Sequence, residues 1–207
     1  MHADNARTET DLDAGARRHD VARAAGRALS RLLVLCGLLL PAGPAAAAPA
    51  GMGGPFSLTD GDGRTISSAS FRGKFLLVFF GYTSCADDCT GIMYRMALAI
   101  TEIGAPAGRL QAIFITIDPK RDTPDVASRY ATLFSPDILG LSGSAAEISQ
   151  VESAYHVSVG KPDARSGAIP HGAVLYVVGP DGGFVTELPG TDSAEALATK
   201  LTGILEN

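Results

Sequence analysis

The sequence lacks tryptophan altogether, and aromatic residues make up only 6% of its 207 residues. Because 46% of the residues are hydrophobic, we expect a single core built chiefly from aliphatic side chains. No cluster of Lys and Arg occurs after Arg31, and the formal net charge is −5 with a pI near 5.3. This charge balance argues against nucleic acid as a partner.

The first fifty residues have the composition of a targeting segment. Residues 1–31 contain six arginines, Leu32–Leu40 is apolar, and Ala45–Ala50 consists almost entirely of alanine. A basic, then apolar, then Ala-rich order is typical of a secretory leader. We therefore predict that residues 1–50 are a leader and that residues 51–207 form the folded domain.

A retained membrane anchor is the alternative for the same segment, because Leu32–Ala50 carries no charge. Three prolines interrupt it, and its strongly apolar part is much shorter than the ~20 residues that a membrane span needs. In either case we expect the domain to be exported. It would lie in the periplasm, or be anchored to the membrane and face the periplasm.

Cysteine is also scarce. Of the three cysteines, Cys36 lies in the predicted leader, so the mature domain keeps only Cys85 and Cys89. An exported protein with two cysteines can carry a disulfide, here Cys85–Cys89, which the cytosol would mostly keep reduced.

These two cysteines lie where a predicted strand leads into a helix. The apolar run Phe75–Phe80 predicts a buried strand, a Gly-Tyr-Thr-Ser turn follows, and a helical pattern begins at about Cys89. The N–H groups and dipole at a helix start stabilise a thiolate, so we expect lowered thiol pKa values. A separation of four residues places both sulfurs on one helix face, close enough to share a metal ion or to form a disulfide.

The rest of the domain alternates strands and helices. A parallel core with an antiparallel extension follows from this alternation, and it predicts a thioredoxin-like α/β fold: a three-layer sandwich with a central mixed sheet and an N-terminal β-hairpin extension. The predicted elements are a hairpin over 55–66, a strand over 75–80, a helix from about 89 to 103, a strand over 110–117, a helix over 124–134 with Thr123 as N-cap, a short strand over 138–141, a helix from Ser144 to about 155 with a capping box to Glu147, a weak strand over 157–159, strands over 174–178 and 184–188, and a helix after Ser193.

Topology brings a histidine to the thiols. Loops after parallel strands leave the sheet at the same edge, and a strand antiparallel to them begins there. His171, just before the predicted strand over 174–178, can therefore reach Cys85 and Cys89. His156, at the end of a helix, has no such placement, and we expect it to be structural or solvated.

Two thiolates and one imidazole suit copper. They match trigonal Cu(I) and also accommodate Cu(II) with a further oxygen or water, whereas structural zinc normally has four ligands. Asp87 and Asp88 could supply a fourth ligand, although acids at a helix start are more simply explained as solvated groups. Met93 and Met96 could supply thioethers, but their helical spacing favours core packing.

Three motifs, in order along the chain, resemble the Sco/SenC family. They are Phe79-Phe80-Gly81-Tyr82-Thr83-x-Cys85-x-Asp87-x-Cys89, then Phe114-Ile115-Thr116-Ile117-Asp118-Pro119-x-Arg121-Asp122-Thr123-Pro124, and finally His171 with Tyr176-Val177-Val178-Gly179-Pro180-Asp181-Gly182. The resemblance covers about residues 54–207. The chain departs from the family pattern in having Thr90 where proline is usual, and Pro170 and Gly172 around the histidine.

The resemblance implies a copper-binding protein of thioredoxin fold that assists cytochrome c oxidase assembly, with Cys85, Cys89 and His171 as the copper ligands. It implies a copper donor protein as one partner. Cytochrome c oxidase subunit II, or another copper-accepting protein, would be the second partner, and its binuclear copper centre would receive the metal. A thiol-disulfide oxidoreductase that uses Cys85 and Cys89 is the alternative, and the two activities could coexist. No Pro-x-x-x-Thr-x-x-Cys arrangement surrounds Cys85, which argues against a peroxidase.

Overall fold

The structure is a computed structural model that describes residues 52–85 and 88–206. It opens on a β-hairpin of strands β1 (Ser57–Thr59) and β2 (Thr65–Ser67), paired antiparallel. Between them Asp60 holds the turn, because its carboxylate accepts hydrogen bonds from the backbone N–H groups of Asp62 and Arg64 and from Nε of Arg64. The predicted N-terminal hairpin is confirmed, with shorter strands than the sequence indicated.

The centre of the molecule is a five-stranded mixed sheet in the order β5-β4-β3-β6-β7. Strands β3, β4 and β5 are parallel, whereas β6 and β7 are antiparallel. All seven residues of β3 are buried, as expected for a central strand with both faces covered. The strand bounds are β3 Phe75–Gly81, β4 Leu110–Thr116, β5 Ile138–Leu141, β6 Val174–Val178 and β7 Phe184–Pro189.

Four α-helices occur within the described ranges, and their ends follow ordinary capping chemistry. Ser144 and Glu147 form the predicted capping box, and the Ser193 hydroxyl accepts the N–H of Ala196 at the start of the last helix. The bounds are α1 Asp88–Ile103, α2 Pro124–Thr132, α3 Ala145–Ala154 and α4 Ala194–Leu205, with short 3-10 helices at Ser68–Phe71 and Ala105–Arg109.

Helices cover both faces of the sheet. On one face the Phe114 ring lies 5.1 Å from that of Tyr130 in α2, and a Cβ on Gly140 would come within 2.2 Å of the Ala127 carbonyl oxygen. On the other face Phe80 lies 5.3 Å from Tyr155, at the end of α3. Helix, sheet and helix therefore form three layers, which confirms the predicted thioredoxin-like sandwich.

One local prediction was wrong, and one was confirmed in position only. Residues 157–159 form no strand, and only Val159 pairs, through an isolated antiparallel bridge to His171. The reason is that α3 ends at Ala154 and His156, two residues later, has a positive φ of 52°, after which the chain enters a polar loop. Thr123 occupies the N-cap position of α2, but its side chain makes no capping hydrogen bond; the helix instead begins with Pro124, which needs no N–H partner.

The predicted leader, residues 1–50, lies outside the described residues, so both its cleavage and its use as an anchor stay predictions. Within the part of the chain that the structure describes, none of the helices has the length and hydropathy needed to cross a bilayer.

Candidate metal centre

The two cysteines lie at the C-terminal edge of the sheet, as the strand-to-helix pattern predicted. The chain leaves β3 after Gly81 and turns through Tyr82, whose carbonyl accepts the Cys85 N–H at 3.2 Å. Cys85 is half-buried, while Cys89 in the first turn of α1 is fully buried. Both are free thiols here, so the Cys85–Cys89 disulfide stays a prediction.

Close packing under the thiols leaves no room for a side chain at position 81. A Cβ on Gly81 would lie 2.9 Å from Cε1 of Phe79 and 3.2 Å from Sγ of Cys89. Contacts that short require a neighbour to move. Gly81 is therefore part of what fixes the position of the Cys89 sulfur.

His171 enters the same edge just before β6. Its Nε2 lies 3.2 Å from Sγ of Cys89, and one ligand atom from each of Cys85, Cys89 and His171 lies within 4.8 Å of the others. The predicted proximity of the histidine to both thiols is confirmed.

The hydrogen bonds of His171 determine its tautomer. Nδ1 lies 3.0 Å from the carbonyl oxygen of Gly172, and because a carbonyl can only accept, Nδ1 carries the proton. In the neutral ring Nε2 then has a free lone pair, which accepts from the Cys89 thiol. The lone pair that a metal would use thus already points at the sulfur.

Burial sets the protonation of Cys89. It raises the pKa of the Cys89 thiol above its ordinary value, and the neighbouring Cys85 raises it further, while the backbone N–H of Tyr82 opposes the rise. The predicted lowering of thiol pKa values is therefore wrong for Cys89, because desolvation outweighs the helix dipole. A metal that binds this sulfur must displace its proton.

Two aromatic rings lie beside the imidazole. Tyr82 meets His171 edge-on, with ring centroids 5.7 Å apart, and the centroid of the Phe79 ring lies 6.2 Å from that of His171. The same Tyr82 hydroxyl accepts the backbone N–H of Ile169 at 3.1 Å. These contacts limit how far the ring can rotate away from the sulfurs.

The buried carboxylate of Asp122 stabilises the turn between β3 and the cysteines. Asp122 is only 1% exposed and accepts three hydrogen bonds: from the Thr83 N–H at 2.8 Å, the Thr83 hydroxyl at 2.6 Å and the Thr116 hydroxyl at 2.7 Å. Its own backbone carbonyl accepts the Ser142 hydroxyl. The side chain of Asp122 therefore ties the turn after β3 to the end of β4, and its backbone carbonyl ties the same place to Ser142, the residue after β5.

The other candidate ligands lie elsewhere or outside the described residues. His156 is exposed at the end of α3, and Met93 and Met96 are completely buried in the core, as the packing interpretation predicted. Asp88 is exposed in the first turn of α1. Asp87 lies outside the described residues.

Comparison with known proteins agrees with the three sequence motifs. A family model described as SCO1/SenC matches residues 44–206. The chain belongs to the SCO1/SenC family.

It is 38% identical over 149 residues to the mitochondrial SCO2 homolog of Bos taurus, covering 70% of this chain and 56% of that protein. It is 37% identical over 139 residues to the human mitochondrial SCO1 homolog, covering 65% and 46%. The chain thus spans about half the length of these Sco relatives.

Solved Sco structures share the fold. Copper-bound ScoI of Bradyrhizobium japonicum is 37% identical, with a TM-score of 0.67, and the match covers 74% of this chain and 99% of that one. Copper-bound yeast Sco1 is 30% identical, with a TM-score of 0.69, and the match covers 75% and 89%. These two relatives hold copper in their structures.

The donor set of this Sco chain fits copper by its chemistry. Soft thiolates and an imidazole favour copper over hard cations, and the described residues bring only three such donors together here, one fewer than a closed structural zinc site. Cys85 and His171 are each half-buried. A bound ion would therefore stay reachable by a partner protein.

Some residues that shape the site were not recognised as such from the sequence. Asp122 and Arg121 are part of the second motif, yet no role followed from it. The hydroxyl groups of Thr116, the last residue of β4, and of Thr83, in the turn after β3, were the available signal for Asp122, because a buried carboxylate needs such donors. No sequence signal predicted the contact between Arg121 and Gly167, which lies in the loop that precedes His171.

Proposed function

We propose that this chain is a metallochaperone that binds one copper ion through Cys85, Cys89 and His171 and delivers it for cytochrome c oxidase assembly. The observation that carries the proposal is the convergence of the three donor atoms within 4.8 Å of one another. We infer that the recipient is the binuclear copper centre of cytochrome c oxidase subunit II. A copper donor protein would load the site.

The site suits a cargo rather than a permanent cofactor. Three ligands leave copper coordinatively open, and half-burial of Cys85 and His171 lets a recipient's ligands approach and replace them one at a time. Copper would displace the Cys89 proton, so loading releases protons. Oxidation of Cys85 and Cys89 to a disulfide removes both sulfur ligands, which makes copper loading depend on redox state.

Anaerobic titration of the reduced protein with Cu(I), against a competing chelator, tests the proposal. We expect about one copper per chain, a large loss of affinity in His171→Ala, and none in the matched control His156→Ala, whose imidazole lies exposed at the end of α3. The oxidised protein should bind no Cu(I). Wild-type affinity in His171→Ala would contradict the proposed ligand set.

A thiol-disulfide oxidoreductase is the second candidate function, favoured by the free thiol pair at the start of α1. The half-buried Cys85, as a thiolate, would attack a partner disulfide and release one partner thiolate. Cys89 would then displace the second. The partner gains two electrons and two protons, and Cys85 and Cys89 become a disulfide.

Exchange with a disulfide-bonded peptide separates the two functions. As an oxidoreductase, the protein keeps disulfide exchange in His171→Ala and loses it in Cys85→Ser. As a pure metallochaperone, it shows slow exchange in all forms, while copper binding is lost in both variants.

We also propose that the domain works outside the cytosol, because reduced and oxidised forms of its cysteine pair can both exist there. Residues 1–50 would serve as a cleaved leader or as an anchor that keeps the domain facing the periplasm. Cell fractionation with N-terminal sequencing of the recovered protein distinguishes these outcomes, and recovery of intact chain from the cytosol would contradict both.

A further inference from the structure

The loop that carries His171 is tied to the rest of the molecule through its return limb, residues 167–171. The backbone N–H of Ile169 donates to the Tyr82 hydroxyl oxygen at 3.1 Å in a buried position. The carbonyl oxygen of Gly167 accepts from Nη2 of Arg121 at 3.1 Å. These backbone groups precede His171 by two and four residues, so the two contacts set where the imidazole enters the site.

Arg121 joins three segments that are distant in sequence. Its guanidinium pairs with Asp118 in the turn after β4, its Cζ lies 5.7 Å from the centroid of the Tyr82 ring, and it reaches the Gly167 carbonyl. A planar guanidinium can lie over a ring and donate in its own plane at once, which an ammonium cannot do. The same Tyr82 ring contacts His171 edge-on.

Gly167, the residue that accepts the hydrogen bond from Arg121, leaves space for the guanidinium because it has no side chain. Gly167 has a positive φ of 71°, a conformation that disfavours any side chain. A Cβ there would also lie 3.2 Å from Nη1 of Arg121. The loop tip is held independently by Asp163, whose carboxylate accepts the N–H groups of Arg165 and Ser166.

We propose that Arg121 is a positioning residue for His171: it fixes the return limb through Gly167 and Tyr82 and thereby holds the imidazole over the two sulfurs. The inference rests on the proposed function, in which His171 is the third copper ligand. Besides the Tyr82 hydroxyl, the return limb is held by the buried Ile169 side chain, by the Val159 bridge and by the Gly160 N–H, which donates to the Pro170 carbonyl at 2.7 Å. These contacts hold residues 169–171, whereas Arg121 holds the start of the limb at Gly167. Its loss should cost copper affinity about tenfold, the lower end of what removing such an orienting group costs.

Cu(I) competition titrations on the full chain test this inference. We expect about a tenfold loss of affinity in Arg121→Ala and no loss in Arg129→Ala, a matched arginine on α2 that is 69% exposed and pairs with Asp125. Arg121→Lys keeps the charge without the planar fork and should lose at least threefold. An Arg121→Ala affinity within threefold of wild type, or full rescue by lysine, would overturn the proposal.

A measurement without metal separates this inference from the proposed function. In NMR spectra of the metal-free protein, Arg121→Ala should shift the His171 ring nitrogen resonances and speed amide exchange at Ile169, while the fold and thermal midpoint stay close to wild type. Unchanged ring resonances and exchange would overturn the positioning role. Wild-type copper affinity in His171→Ala would overturn the proposed ligand set alone, since these metal-free readouts would still decide the role of Arg121.

A second variant covers the case in which Arg121→Ala does not fold. Gly167→Ala lies on an exposed loop outside the core, and its Cβ pushes the guanidinium away from the carbonyl. We expect at least a threefold loss of Cu(I) affinity and the same shifts at His171. Retention of both wild-type affinity and wild-type resonances would count against the proposal.

Discussion

The cysteine side and the histidine side of the site are built in different ways. Cys89 is fully buried on a turn that Asp122 holds by three hydrogen bonds. His171 ends a mostly exposed loop that is held by hydrogen bonds to Tyr82 and Arg121, by the backbone hydrogen bond from Gly160 to Pro170 and by one buried side chain, Ile169. Regions with few buried contacts open at low free energy.

The difference suits the proposed function, in which the protein takes up copper and gives it away. The buried Cys89 would then be the fixed ligand, whereas His171, at the end of an exposed loop, could leave the copper without unfolding the domain. On this view, damage to the cysteine side should appear as lost global stability. Damage to the histidine side should appear as lost copper affinity and faster local exchange.

The largest effect is expected at Asp122. Asp122→Ala leaves the N–H and hydroxyl of Thr83 and the Thr116 hydroxyl without their acceptor in a buried place, so the free energy of unfolding should fall by about 3 kcal/mol. Urea denaturation measures it. Asp125→Ala, at a position that is 57% exposed, should change stability by less than about 0.5 kcal/mol. A loss below about 1 kcal/mol at Asp122 would break the contrast between the two sides.

Overpacking at Gly81 should come next. The Cβ of Gly81→Ala would lie 2.9 Å from the Phe79 ring and 3.2 Å from Sγ of Cys89, so we expect a loss of about 2 kcal/mol together with weaker Cu(I) binding. Gly108→Ala, which would meet no atom within 4 Å, is the control. Denaturant curves and Cu(I) titrations on both variants measure the losses of stability and of copper affinity. Equal stability of the two variants would contradict the predicted overpacking at Gly81.

On the histidine side, Tyr82→Phe should act locally. The variant keeps the ring against His171 and removes the hydroxyl that accepts the Ile169 N–H, which costs about 1 kcal/mol. We expect roughly fivefold faster amide exchange at Ile169 by this energy, measured by hydrogen exchange and NMR. As a control, Tyr94→Phe removes the hydroxyl of an exposed side chain and should leave the exchange rate of the Ile169 amide unchanged. An unchanged rate in Tyr82→Phe would contradict the role assigned to the Tyr82 hydroxyl.

The smallest effect concerns the loop tip. Hydrogen bonds from the Ser166 backbone and side chain, and from the Arg165 backbone, lower the pKa of Asp163 below its ordinary value of 3.8. A lowered pKa means that the turn gains from the charged carboxylate above pH 3.8 and loses this gain as the pH falls through the folded-state pKa. The amide shifts of Arg165 and Ser166 should therefore titrate with a midpoint below 3.8. A midpoint at or above 3.8 would contradict the assigned turn.

The fold could be predicted largely from local patterns. Buried strands such as Phe75–Gly81 and the capping box at Ser144 are encoded within a few residues, and the order of strands and helices leaves few topologies. The predicted strand over 157–159 was wrong because a short apolar segment forms a strand only if a partner strand lies beside it, and here only Val159 finds one residue to pair with.

The site could be predicted in part. Spacing placed Cys85 and Cys89 together, and sheet topology placed His171 with them. The buried network of Asp122 and the contact from Arg121 to Gly167, 46 residues apart, depend on tertiary packing that no local pattern encodes. The direction of the Cys89 pKa was wrong for the same reason, since the depth of burial outweighs the helix dipole.

X-ray absorption spectroscopy of the Cu(I)-loaded protein identifies the atoms bound to copper. We expect two sulfur scatterers and one imidazole nitrogen around each copper in the wild type and in His156→Ala, and loss of the nitrogen in His171→Ala. A first shell of sulfur alone in the wild type, or a nitrogen that survives in His171→Ala, would contradict the proposed ligand set.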